Sequence, residues 1–237
     1  MSEASEFFNE GRASLLSGDL RPETAPAENH PRWGASAVLR PSDPQILESL
    51  ADLVKSVGAA AGDGHWAHRT NSLHFTLRAL ESYRSSIPAG DARRTAYQEA
   101  LTAAAENMPF ARVELRGVRP HPAGVVAVGH PLDGVLATVQ SQFTEELRNR
   151  DAAGFETWVR DRWYVSLLHF AGPVANPARV ARWCDERRNL RIGVVALNHA
   201  EVIRWHFTGD GVQAQSLHKA PLGNGSVLGS RPASRTA

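Results

Sequence analysis

The chain is poor in the residues that announce special chemistry. Cys184 is the one cysteine among 237 residues. That excludes an intrachain disulfide and a cysteine-rich metal site, and it fits a reducing cytoplasm. No apolar run approaches the roughly 20 residues of a membrane-spanning helix. The start, Met-Ser-Glu-Ala-Ser-Glu, lacks the basic and apolar stretches of a secretory signal. Excess charge is missing too: 26 Lys and Arg against 25 Asp and Glu give a net charge of +1. No global field is present to capture long duplex nucleic acid, whereas a short or single-nucleotide ligand needs only a local pocket. Aromatic residues make up 7% of the chain. Trp33, Trp158, Trp163, Trp183 and Trp205 are dispersed in a way that suits core or inter-lobe packing better than a base-stacking platform. A soluble, cytoplasmic monomer is the expectation.

The informative stretch is Asn71-Ser72-Leu73-His74-Phe75-Thr76-Leu77-Arg78. Leu73, Phe75 and Leu77 alternate with His74, Thr76 and Arg78, so a strand here has one apolar face and one polar face. Along the polar face imidazole, hydroxyl and guanidinium follow at roughly 7 Å intervals. Imidazole moves protons near neutral pH, a hydroxyl holds an anionic oxygen and Arg balances charge. Arg78 has a second reading, as a solvated charge at the strand end.

Around this stretch the chain reads as a mixture of strands and helices. Residues 1 to 31 form a flexible lead-in, with Phe7, Phe8, Leu15 and Leu16 able to make one short amphipathic helix. Trp33 to Leu39 reads as a strand. A helix capped by Asp43 then carries Ile46, Leu50, Leu53 and Val57 at helical spacing. His65 and His68 sit in the following loop without an acidic third ligand nearby, so they line a loop and hold no metal. Asp91 caps a helix with Tyr97, Ala100, Leu101 and Ala104 on one face. Two strands joined by Pro120-His121-Pro122-Ala123-Gly124 follow, then a long helix through Val135, Val139 and Phe143. A second block echoes the first: strand 163–170, a helix opened by Asn176-Pro177, then strands 190–197, 201–208 and 212–217, with His199, His206 and His218 as edge or surface residues. Residues 221 to 237 read as a disordered tail. Helices mixed with hairpin-linked strands argue an α+β fold.

The run His74-Phe75-Thr76-Leu77, set after a helix and a loop, resembles the first His-x-Thr/Ser-x motif of the 2H phosphoesterase superfamily. That superfamily includes RNA 2′,5′-ligase-like and cyclic phosphodiesterase-like proteins. The resemblance spans about residues 32 to 220 and implies one two-lobed, pseudo-symmetric α+β domain. Mixed or antiparallel sheets would line a central cleft, with helices outside. It implies two histidines facing each other across a phosphate, one as base and one as acid, with hydroxyls holding the phosphate oxygens.

The second motif falls on Tyr164-Val165-Ser166-Leu167. Ser166 keeps the hydroxyl, but Tyr164 stands where the family has histidine. A phenol, with an ordinary pKa of about 10, donates readily and is a poor base. His169 is five residues beyond Tyr164, on the opposite face of a regular strand; only a β-bulge between them brings both to one side. The resemblance therefore implies His74 as the main acid/base group, Thr76 and Ser166 as phosphate holders, and Tyr164 as acid or charge stabiliser. No cofactor or metal is needed. The implied substrate is a small nucleotide or RNA-end phosphodiester, cyclic or 2′,5′-linked. The alternative is a catalytically impaired relative serving as a nucleotide-binding or accessory module.

Overall fold

A computed structural model describes residues 3–209 and 211–223. Of the expected disordered tail, residues 224 to 237 lie outside the described residues. The order of elements is α1 (Glu3–Ser17), β1 (Ala35–Leu39), α2 (Pro44–Ala61), β2 (Trp66–Ala67), β3 (Phe75–Glu81), α3 (Ala92–Ala105), β4 (Ala111–His121), β5 (Gly124–Pro131), α4 (Val135–Arg148), β6 (Trp163–His169), α5 (Pro177–Glu186), β7 (Arg191–Leu197), β8 (His199–Phe207) and β9 (Val212–Pro221). A single 3-10 turn, Thr70–Ser72, precedes β3.

The strands form two sheets, ordered β3-β1-β8-β9 and β2-β6-β5-β4-β7, and every pairing is antiparallel. The fold is α+β and two-lobed. The echoing second block is divided between the lobes: β6 and β7 join one sheet, while β8 and β9 return to the other.

Capping and periodicity explain the helices. Asp43 accepts from the backbone N–H of Gln45 and Ile46, with Pro44 in the first turn where its missing N–H costs nothing. Asp91 and Asn176 cap α3 and α5 through the N–H groups of Arg94 and Arg179. The buried stripe of α2 (Ile46, Leu50, Leu53, Val57) packs against β6 and β7, and Tyr97, Leu101 and Ala104 of α3 pack toward β8 and β9. One continuous core joins the lobes, with Phe75, Leu77, Val113, Leu115, Val165 and Leu167 all fully buried. At the junction a side chain on Gly129 would lie 2.8 Å from the Phe75 ring, so only glycine lets β5 approach β3.

The N-terminal residues are laid against this body. Phe8 and Leu15 of α1 are buried. The Arg21 N–H donates to the Pro122 carbonyl and the Glu23 N–H to the Phe170 carbonyl on one lobe, while the Pro31 carbonyl accepts from the Tyr83 N–H on the other. The segment expected to be a flexible lead-in thus runs as a strap from lobe to lobe. Its own hydrophobic content is low, but docking gives it partners that composition alone does not reveal. No helix among the described residues is long and apolar enough to cross a membrane.

Candidate active site

Strands β3 and β6 carry the two motifs, and their registers decide what each side chain faces. On β3, Phe75 pairs with Leu39 and Thr76 with Val38, but Ala37 pairs with Arg78. Leu77 is an extra residue, a β-bulge. Neighbours on β1 point to opposite faces, so Thr76 and Arg78 do as well. Thr76 shares the cleft face with Val38 and Glu201, whereas Arg78 turns to the helix side.

This corrects the expectation of three polar groups in a row. Arg78 is buried, and its guanidinium donates to Thr144 Oγ1 of α4 and to the backbone carbonyls of Ala153 and Glu156. It is neither a phosphate ligand nor a solvated strand end; it ties the loop before β6 to β3. The physical reason is the bulge at Leu77: alternation already puts Leu77 in the core, and the extra residue then turns Arg78 off the cleft face, which alternation cannot anticipate.

His74 lies just before β3, half-buried like Thr76. Its Nδ1 is 2.8 Å from the Ser72 carbonyl, which can only accept, so Nδ1 carries the hydrogen and Nε2 a lone pair. Burial lowers the imidazole pKa to about 4, against the opposing Ser72 hydrogen bond and with help from His169, Arg160 and Arg40. His74 is therefore a neutral acceptor at pH 7. The Trp205 ring lies 5.0 Å from it and the His68 ring 5.9 Å.

On β6, Tyr164 pairs with Val128 and Ser166 with Val126. Both are half-buried, and the Tyr164 ring lies 6.1 Å from His121. Here too the register slips: Val125 pairs with Leu168, leaving Leu167 as the bulge, and Gly124 pairs with His169. Gly124, Val126 and Val128 alternate along one face of β5, so Tyr164, Ser166 and His169 share a face of β6. The bulge required to bring His169 beside the motif is present.

Solved structures share this architecture. TT0787 of Thermus thermophilus superposes with a TM-score of 0.61 at 14% identity, covering 81% of this chain and 98% of that one. A phosphoesterase crystal structure gives 0.58 at 14% identity over the same shares. Escherichia coli LigT, complexed with 3′-AMP, gives 0.58 at 12% identity, again over 81% and 98%. The chain has the 2H phosphoesterase fold. No family model matches the sequence, and no curated protein matches it significantly.

Within the 2H cleft, one end is filled by residues that sequence reasoning set aside or missed. His68, expected to line a loop, is 3% exposed, and His169 is 6% exposed. Their Nε2 atoms are 3.2 Å apart. Trp66 stacks on His169 at 4.9 Å, and Trp33 meets Trp66 at 4.6 Å and Trp205 at 6.1 Å, so three of the six tryptophans converge between the lobes. Glu23, carried in by the strap, places Oε2 2.9 Å from His169 Nδ1 and 2.7 Å from an Arg32 nitrogen, though neither Oε2 nor Nδ1 has an in-line hydrogen-bond partner. Burial pushes the Glu23 pKa up, but His169, Arg32 and His121 together outweigh it and the net shift is downward, keeping the carboxylate ionised. Among the described residues no group of three or more His, Cys, Asp and Glu side chains is placed to hold a metal ion. The sequence signal for this end was the crowding of His65, Trp66, His68 and His74 within ten residues.

Proposed function

We propose that the chain is a phosphoesterase-like protein acting on a small nucleotide or RNA-end phosphodiester, cyclic or 2′,5′-linked. His74 is its principal acid/base group and takes up a proton through Nε2. Thr76 and Ser166 hold phosphate oxygens, and Tyr164 donates from the position where the family carries its second histidine.

The carrying observation is the state of His74: neutral, fixed through Nδ1, with the Nε2 lone pair left over on the cleft strand beside Thr76. That is the form a general base needs. LigT has been solved with 3′-AMP, with ATP and with phosphate, which supports a small phosphorylated ligand for the shared fold. The chemistry requires imidazole and hydroxyl groups around phosphorus and no metal. We place the catalytic domain at residues 32 to 220.

The test is turnover of cyclic nucleotides and 2′,5′-linked dinucleotides by wild type beside His74→Ala. A loss of about 10²–10⁴-fold is expected, the usual worth of general acid–base catalysis, with the thermal transition nearly unchanged. Full activity in the variant removes His74 from the mechanism.

One observation favours a second reading, a catalytically impaired nucleotide-binding module: the second motif presents a phenol, and its ring neighbour is His121. Nucleotide binding by calorimetry without turnover of any panel member would select that reading.

A further inference from the structure

The second motif position has lost its imidazole, yet the same strand returns one to the same face five residues later. In a regular strand His169 would point away from Tyr164; the Leu167 bulge reverses it. What surrounds His169 is arranged as acid–base groups are. A carboxylate stands behind one ring nitrogen and an acceptor stands before the other, the pattern that fixes the tautomer and orientation of a working histidine.

The hydrogens can be assigned by following the donors. The Ser72 hydroxyl donates to the Arg69 carbonyl at 3.0 Å and accepts from the Arg69 N–H at 3.0 Å. Its remaining lone pair faces His68 Nδ1 at 3.0 Å, so that nitrogen is the donor. Burial, and then the neighbouring His169 and His74, hold the His68 pKa well below the ordinary value, so the ring is neutral and its Nε2 is an acceptor. The hydrogen between the two Nε2 atoms therefore belongs to His169. On the other side the Glu23 carboxylate lies 2.9 Å from Nδ1 but out of line with it, so it faces the ring as a charge and not through an in-line hydrogen bond. His169 thus directs an Nε2 hydrogen toward His68 and has a carboxylate behind its other ring nitrogen.

We propose that His169 is the second acid–base residue of the cleft, in place of the imidazole absent at Tyr164, and that Glu23 of the N-terminal strap is its positioning residue. This rests on the phosphoesterase reading above. A phosphoryl oxygen takes the place of the His68 Nε2 as the acceptor facing His169. As water attacks phosphorus, one O–P bond forms and His74 Nε2 takes the water proton. The ester P–O bond breaks, and the leaving oxygen receives the Nε2 hydrogen of His169. Both imidazoles then exchange one proton with solvent. The other titratable or charged groups facing His169 are Arg32 beside Glu23, His121 from the β4–β5 hairpin, and His68 and His74 from the β2–β3 segment.

The experiment has two arms. In the first, nitrogen NMR on the full chain at neutral pH reads the ring hydrogens of His169. Two N–H groups in wild type, reduced to one in Glu23→Gln, support the assignment; one N–H in wild type overturns it. In the second, pH–rate profiles on the cyclic nucleotide panel compare wild type, His169→Gln and Glu23→Gln. His169→Gln is expected to lower kcat at least 100-fold and to abolish the alkaline limb of the profile, with KM little changed. Glu23→Gln should lower kcat about 10-fold and move that limb to lower pH, whereas a merely structural role would leave the limb in place. Unchanged kcat and limb in His169→Gln overturn the proposal. A wild type inactive on the whole panel overturns the phosphoesterase reading, and the NMR arm alone then decides whether His169 holds the second proton.

Discussion

Strands β3 and β6 run the same local program with different side chains. Each carries x-hydroxyl-Leu in its motif, and each bulges at that leucine, Leu77 in one and Leu167 in the other. In each the residue after the bulge turns to the core, Arg78 or Leu168, and the next one returns to the cleft, Ala79 or His169. The imidazole has therefore changed place between the lobes. It stands at the first motif position, just before β3, with alanine at the sixth, and at the sixth position on β6, with a phenol at the first. A cleft face is fixed by register, so an imidazole can stand at either end of a motif and remain on that face if a bulge absorbs the odd step.

The largest difference to break is at the residue behind the bulge. Leu168 is an ordinary core side chain, but Arg78 is a buried guanidinium donating to Thr144, Ala153 and Glu156. Arg78→Leu makes the two strands alike. Because it strands buried carbonyls that a charged donor satisfied, it should cost about 1.5–3 kcal/mol, read as a lowered urea midpoint at unchanged slope. Leu168→Met on the other strand is a near volume-conserving swap and should cost under about 1.5 kcal/mol. Equal effects would mean that the Arg78 contacts carry no net stability.

A second consequence follows from the histidines gathered between the lobes. His74 and His121 are each held to a pKa of about 4, mainly by burial, and His68 lower than ordinary by burial and neighbouring imidazoles. Their folded values lie below the unfolded value of about 6.5. The unfolded chain therefore binds more protons in this range. Stability is full above pH 6.5 and declines as pH falls toward 4. The carboxylates held low, Glu201 at about 2 among them, contribute their loss only below about pH 4.5. Urea midpoints between pH 7 and 5 should thus fall in wild type, and fall less in His74→Asn. An identical slope in both would remove His74 from the buried set. On activity the sign is the same: a base must be unprotonated, so turnover is lost as pH drops through about 4.

Much of this fold could be read from residues alone. Asp43, Asp91 and Asn176 announce three helix starts, and alternation from Val113 to Leu115 announces a strand, because caps and periods are local. Half of the proposed site was equally local: His74 and Thr76 need only two residues of extended chain to share a face. Its other half depends on things that composition does not encode. Bulges shift every later residue to the opposite face, which hid the burial of Arg78 and the return of His169. Contacts across long separations are silent as well: Glu23 meets His169 because the strap crosses from lobe to lobe, and Trp33 meets Trp205 because β1 pairs with β8.

The finest test of the comparison is at Tyr164 itself. If the phenol is the proton donor, Tyr164→Phe deletes it and should lower kcat by about 10²-fold or more, the least expected for a lost general acid. If the imidazole five residues on has taken over that role, the same variant removes only a hydrogen bond to an anion and should cost a few-fold, mostly in KM. Tyr164→His then separates the two again. A histidine there, as the 2H motif has it, should raise phosphodiesterase turnover where the site lacks an acid, and should change little where His169 already supplies one. The two variants, measured on one cyclic nucleotide at one pH, assign the donor to Tyr164 or to His169.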